Sequence, residues 1–210
     1  MLTFYNTSTS PNCLKTKIQL IELGVEYEQV EVELPIGEGT EVFALFPNAK
    51  LPAIRDDGGI VICESGAIAL HLAHSYGGGA PEDPVGRALV LQAVLLEAAL
   101  VAPTIGGQGI FGQLARPEEE RDMKRVADLM PEAQRVAGVL GAVLGEREYF
   151  AGEYSVADSQ LYAGVNKAIE YEVFKDPPQN LIAWDARVTA RPAVQEARAD
   201  YVGYGIPFPG

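Results

Sequence analysis

Residues 46–66 constrain this chain most, because three local signals follow one another there. Leu51-Pro52 is an X-Pro step just ahead of a short apolar run, a place where a cis peptide can be held. Asp57-Gly58 lies between Ala53-Ile54 and Ile60-Val61-Ile62, which predicts a β-hairpin. Glu64-Ser65 stands where the second strand of that hairpin feeds a helix, and a helix start offers unpaired backbone N–H groups to an anion. With a cis Leu51-Pro52 beside a sheet edge, the N–H and C=O of Leu51 point outward and can pair with an extended peptide. Together the three signals describe a site for a small peptide that carries a carboxylate.

Such a ligand has to be drawn in by local donors, because the overall field opposes it. The chain has 16 basic and 29 acidic residues, a formal charge of −13 and a pI near 4.6. That balance argues against nucleic acid as a partner. With 210 residues, 48% of them apolar, there is material for one large core or two small ones. Met1 runs straight into Leu-Thr-Phe-Tyr without a basic leader, so no signal peptide is expected. The longest apolar run, residues 88–103, is broken by Gln92 and Glu97, so no membrane span is expected either. Two cysteines, Cys13 and Cys63, form neither a disulfide framework nor a metal cluster, and predict a cytoplasmic protein with reduced thiols. His71 and His74 share one predicted helix but lack carboxylate or thiolate neighbours, so no metal is expected.

Read in order, residues 2–5 form a short strand, and Ser10-Pro11 opens a helix with Ser as N-cap and Pro in the first turn. Leu14, Ile18 and Ile21 recur at helical spacing up to a closing Gly24. Residues 27–34 alternate as a strand with one wet face, 37–40 are loop, and 41–46 a short helix. After the hairpin, residues 65–75 form a helix with Ile68 and Leu72 inward. The order β-α-β-α-β-β-α is that of an α/β sandwich with a mixed four-stranded sheet. A domain at 1–77 and a Gly- and Pro-rich linker at 78–84 are followed by a helical domain at 85–210, of about four or five helices. Residues 85–101 read as a buried helix, apolar on nearly all sides. Residues 106–109 interrupt it, and Pro117-Glu118-Glu119-Glu120 starts another helix with acids in its first turn. Gly138, Gly141 and Gly145 leave room for a neighbouring helix. Ser155-Val156-Ala157-Asp158 fits a capping box, Trp184 and Val188 lie on a helix stopped by Arg191-Pro192, and the tail after Tyr201 is not helical.

In this order and spacing, Asn48-Ala49-Lys50-Leu51-Pro52-Ala53-Ile54, Glu64-Ser65-Gly66-Ala67-Ile68 and Tyr154-Ser155-Val156-Ala157-Asp158 resemble the glutathione transferase family over nearly the whole chain. The first unit looks like its thioredoxin-like domain and the remainder like its all-α C-terminal domain. Ser10-Pro11-Asn12 looks most like the Nu type of bacteria and fungi, and Pro103, Gln108 and Phe111 are similar to that type's helix-break region. The resemblance implies glutathione as co-substrate, with the Leu51 backbone, next to Pro52, on its cysteinyl unit. It implies Glu64 and Ser65 on the γ-glutamyl end, Lys50 on the glycyl carboxylate, Ser10 or Asn12 facing the sulfur, and a homodimer. At Ser159 the sequence departs from the family, which has an apolar partner for Tyr154 there.

The chemistry needs a thiolate. Lowering a thiol from a pKa of about 8.5 to below neutral takes roughly 1.5 units, about 2 kcal/mol. A helix N-terminus contributes about 0.3–1 kcal/mol, up to about 2 when sheltered. A hydrogen bond to a charged acceptor contributes roughly 1.5–3 kcal/mol. The start of the Ser10 helix offers both, which predicts thiolate stabilisation by donors without a protein base. Ser10 is compatible with both cap and catalytic roles. Tyr5, inside a strand, reads as core or pocket wall, Cys13 as a small buried residue or a mixed-disulfide former, and Cys63 as core. A hydrophobic electrophile is expected between the domains, against Tyr5, Phe111 and Tyr162 with Gln108 as a polar contact. Three readings remain: thiolate attack on an electrophilic carbon, reduction of disulfides or peroxides (or aryl-ether cleavage) at the same site, and a non-catalytic glutathione-binding module.

Overall fold

A computed structural model describes residues 1–38, 41–46 and 48–203. Gly39 and Thr40 of the expected loop, Pro47 of the organising stretch and the tail from residue 204 lie outside the described residues. The first unit is a four-stranded sheet in the order β2-β1-β3-β4, built from β1 (Leu2–Asn6), β2 (Tyr27–Glu31), β3 (Ala53–Arg55) and β4 (Val61–Cys63). β1 runs parallel to β2 and antiparallel to β3, and β3 antiparallel to β4, so the sheet is mixed. Helices α1 (Pro11–Glu22), α2 (Glu41–Leu45) and α3 (Ser65–Tyr76) complete a thioredoxin-like unit. Leu2, Phe4, Leu20, Ile54, Ile68 and Leu72 form its core on one face, and Tyr5, Val32, Phe46 and Ala53 on the other.

Each boundary has a local cause. Ser10 caps α1 and Pro11 sits in its first turn; Gly24, at φ +61°, carries the chain out of it. The hairpin turn is held by Asp56, whose carboxylate accepts from the Ile60 N–H at 2.8 Å while its carbonyl accepts from Gly59 at 2.9 Å. Leu51-Pro52 is cis, and so is Leu34-Pro35. The second strand is shorter than residues 27–34 promise: β2 ends at Glu31, and only Val32 of the remainder is buried. Leu34, expected on the dry side of the alternation, is exposed next to its cis proline.

The rest is helical: α4 (Pro84–Leu96) runs through a π-helical segment, Glu97–Val101, into α5 (Ala102–Thr104), followed by α6 (Ile110–Leu114), α7 (Met123–Leu144), α8 (Val156–Glu170), α9 (Gln179–Thr189) and α10 (Pro192–Ala199). Three expectations fail here. Helix α4 is not buried all round: Val90, Ala93 and Val94 are buried, whereas Val85, Leu91 and Leu95 stand exposed on its other side. An apolar sequence reports hydrophobicity, not whether a partner for every face belongs to the same chain. By length and composition alone the continuous run Pro84–Thr104 could cross a membrane, but core helices pass the same test, so it leaves the expectation of no span neither met nor broken. And Glu118–Glu120 is an isolated 3-10 turn, because the true cap is Asp122, whose side chain accepts from the Arg125 N–H at 2.9 Å to start α7. Pro192, expected only as a stop, begins a helix of its own. Of Gly138 and Gly141 on α7 and Gly145 at its end, Gly141 permits the close approach: a Cβ there would meet Pro178 at 2.6 Å, whereas Gly138 has open space around it.

One helix joins the two parts. From α1, Lys15 reaches Glu97, Lys17 reaches Asp200, Gln19 reaches Ser159, and Glu22 receives a two-pronged bond from Arg191 at 2.6 and 2.9 Å. Beside it, Gln160 of α8 donates to the Ser65 carbonyl at 2.9 Å. The Ser155 cap of α8 is a closed box: Asp158 accepts from Phe150 N–H, Ser155 N–H and the Trp184 indole N–H at 2.8–3.0 Å. Ser159, where an apolar partner of Tyr154 is missing, instead accepts from Gln19 at 3.0 Å; Tyr154 is covered by Tyr149 and by the Arg191 guanidinium 3.6 Å from its ring centre.

Candidate active site

A cavity of about 340 Å³ opens between the sheet unit and the helices. Ser10, Asn12 and Lys15 at the start of α1 form one wall, Lys50 and Leu51 another, and the π-helical segment with Gln108 and Phe111 closes the far side. Ser10 accepts from the Cys13 N–H at a long 3.4 Å, and a hydroxyl that accepts keeps its proton to donate. Asn12 is exposed to the cavity, and its Oδ1 accepts from Lys15 Nζ at 2.8 Å. The first turn of α1 therefore presents a hydroxyl and a side-chain amide on one side of the space, at the positive end of the helix.

The sheet side is shaped by unusual backbone. Ala49 and Glu64 are two of the three described non-glycine residues at positive φ, at 49° and 72°. Such residues persist where their surroundings fix them, and they gather at ligand clamps. The sheet ladder starts at Ala53, which faces Tyr5 on one side and Cys63 on the other, so it does not use Leu51. Glu64 is exposed and accepts from Asn48 at 3.3 Å. Ser65 is buried, and its hydroxyl lies 3.4 Å from Gln160 Oε1. Pro52, Glu64 and Ser65 do not line the cavity itself.

Of the four expected walls for an apolar substrate, Gln108 and Phe111 line the cavity and Tyr5 and Tyr162 do not. Tyr5 is packed edge-on against Phe46 beneath the Arg55 guanidinium. Tyr162 is fully buried, with its hydroxyl between Thr189 and Arg198. Tyr5, expected as core or pocket wall, is core: it lies on the sheet's second face, which α2 and Phe46 cover. Cys13 points away from the cavity into the core with Leu2, Phe4 and Leu20. Burial pushes its thiol up to about 11, against smaller lowering contributions from Thr7 and Ser10, so it stays protonated at neutral pH. Cys63 is half-buried in β4. Among the described residues no three His, Cys, Asp or Glu side chains gather as a metal site.

Sequence reasoning missed Thr7, Lys15, Glu97 and Lys167 on the cavity wall. Glu97 carried a readable signal, as a lone charge among Ala93, Val94, Leu100 and Val101; Lys15, with Asn12, Gln19 and Glu22 at helical spacing, did not. Lys15 Nζ and Glu97 Oε1 pair directly across the two parts of the molecule, both side chains less than a tenth exposed. Lys167 lies over the Tyr171 ring at 4.8 Å and near Glu170. Lys15, Lys50 and Lys167 against Glu97 give this cleft a local excess of positive charge inside a protein of net charge −13.

A mixed sheet with α1 opening at the end of an inner strand, a cis-proline loop and a helical partner across the cleft is the architecture of glutathione-binding transferases, and the comparisons agree. The family profile described as "Glutathione S-transferase, N-terminal domain" matches residues 9–75. The Disulfide-bond oxidoreductase YghU of Escherichia coli K12 is 32% identical over 94% of this chain and 74% of its own. Glutathione S-transferase GstB of the same organism is 29% identical over 93% of this chain and 97% of its own. A glutathione transferase from Burkholderia graminis, crystallised with two glutathione molecules per subunit, superposes with a TM-score of 0.80 at 31% identity, over 94% of this chain and 87% of that one. The chain belongs to the glutathione S-transferase family.

Proposed function

We propose that this protein is a glutathione transferase whose α1 N-terminus holds the glutathione thiolate. The observation that carries this reading is the convergence of Ser10 and Asn12 on the cavity that Lys50 and Leu51 border from the sheet side. The Leu51 backbone pairs with the cysteinyl unit and Lys50 meets the glycyl carboxylate. Glu64 and Ser65 take the γ-glutamyl end beyond the cavity, with Pro52 setting the loop. The thiol proton leaves to solvent; Ser10 Oγ–H and the Asn12 amide donate to the sulfur left behind. Thiolate attack forms a C–S bond with an electrophilic carbon lying against Phe111 and Gln108, and the leaving group departs with its bonding electrons. Ser10→Ala and Asn12→Ala should each raise the thiol pKa of bound glutathione, read by thiolate absorbance against pH; no change in either sinks the assignment.

A second reading keeps the site and changes the reaction to disulfide reduction. It is favoured by the name of one relative, a disulfide-bond oxidoreductase, and by the Ser-Pro-Asn start of α1. Here the thiolate attacks a disulfide sulfur, one thiolate leaves, and a second glutathione completes the exchange to glutathione disulfide. Relative rates on an aryl halide and on hydroxyethyl disulfide separate the two. The same proposal takes residues 1–77 as the glutathione-binding domain and 85–210 as the helical one, in a cytoplasmic homodimer. The exposed Val85, Leu91 and Leu95 of α4 support the dimer, since a second copy would cover them. A sedimentation experiment showing a monomer at micromolar concentration would remove that part.

A further inference from the structure

Lys15 is a positively charged side chain placed where the folded protein has almost no water for it, 1% exposed on the inner face of α1. It makes two contacts. Its Nζ pairs with Glu97 Oε1, and it donates to Asn12 Oδ1 at 2.8 Å. Glu97 begins the π-helical segment that follows α4, a wide turn of the kind that recurs at functional sites. The pair therefore spans the cleft on the cavity wall, with Asn12 bonded to its lysine.

An ammonium group has only hydrogens to offer, so the Asn12 atom facing it has to be the carbonyl oxygen. That leaves the Nδ2 donors as the end of the amide available to the cavity. A free carboxamide on an exposed position samples both orientations, and half of them turn an acceptor toward an incoming anion. We infer that Lys15 is a positioning residue: anchored by Glu97, it locks the Asn12 amide with its donors toward the glutathione sulfur. This rests on the reading of Asn12 as a sulfur ligand. Glu97 completes the device by matching the buried charge, so that the amide is oriented without a net positive charge left in the seam.

The test is thiolate titration of bound glutathione in four proteins: the parent, Asn12→Ala, the paired variant Lys15→Met/Glu97→Leu, and all three substitutions together. Replacing both partners of a buried ion pair with apolar residues is generally tolerated, whereas removing one alone is not. The paired variant should raise the thiol pKa by about 0.5–1 unit, a roughly three- to tenfold fall in the thiolate-to-thiol ratio, with glutathione still bound. In the Asn12→Ala background the same pair should add nothing further. If Asn12→Ala shifts the pKa and the paired variant does not, the positioning role fails while the site reading stands. If the pair still shifts it without Asn12, Lys15 acts as a charge and the inference is overturned. If Asn12→Ala itself has no effect, the site reading fails and takes the inference with it. A measurement on the unaltered protein guards against misfolding: the Asn12 side-chain amide proton resonances should titrate with the bound thiol, and resonances indifferent to it would overturn the orientation.

Discussion

Two helices in this molecule begin with a serine cap, and they are built to opposite ends. At α8, Ser155 and Asp158 close a box in which every strong acceptor already has a protein donor, and the whole turn is buried. At α1, Ser10 makes one long bond, has no acidic residue in the first turn behind it, and faces a cavity. A cap that is fully committed stabilises the fold and has nothing left for a ligand. A cap left open gives up part of that stabilisation and keeps donors for an anion.

The contrast is most exposed at Asp158. Asp158→Ala strands the Trp184 indole N–H and the Phe150 and Ser155 amides, and should cost about 3–5 kcal/mol in urea unfolding. A loss under about 1 kcal/mol would mean the box is ornamental and the comparison misplaced.

A second buried carboxylate sharpens it. Asp185 has a single donor, Asn166 at 3.3 Å, and its Oδ1 has no partner among the described residues. Burial pushes it up from 3.8 to about 6, with Asn166 opposing. Folding thus favours its neutral form. That contribution is fully present below the unfolded value and is lost as pH rises through about 6. Asp185→Asn should therefore stabilise the protein by about 1–2 kcal/mol at pH 7.5 and by nothing near pH 4. Melting curves at the two pH values decide it; equal gains at both would refute the assignment.

At the open cap, Ser10→Ala should raise the thiol pKa of bound glutathione by about one unit, about 1.4 kcal/mol, in the absorbance titration. The smallest effect is the most direct comparison. Ser155→Ala should lower stability by about 1 kcal/mol and leave the thiol untouched, while Ser10→Ala should lower it by only a few tenths. Equal losses in denaturant titrations would put the two caps in one class.

The same division explains what the sequence discloses. The closed box, the Ser10-Pro11 start, the hairpin and the cis Leu51-Pro52 are written in neighbouring residues, and local chemistry reads them. Gln108, Phe111, Lys50 and Leu51 could be placed on the cavity because the family resemblance orders them. The misses involve partners distant in the chain. Nothing near Tyr5 says that Phe46 will cover it, nor near Tyr162 that Thr189 and Arg198 will take its hydroxyl. The exposed side of α4 and the Lys15–Glu97 pair, 82 residues apart, belong to the same class. The acidic run at Glu118–Glu120 misled for a different reason: helix-favouring charges mark a preference, and the capping geometry of Asp122 outbid them.

Helix α1 both opens onto the cavity and carries four of the side chains that bind the sheet to the helices. Nicking the chain between residues 78 and 84 would thus leave two fragments still clasped. Anything that loosens that clasp should be felt by the bound tripeptide as well, so adhesion between the halves and grip on the ligand are one property seen from two sides.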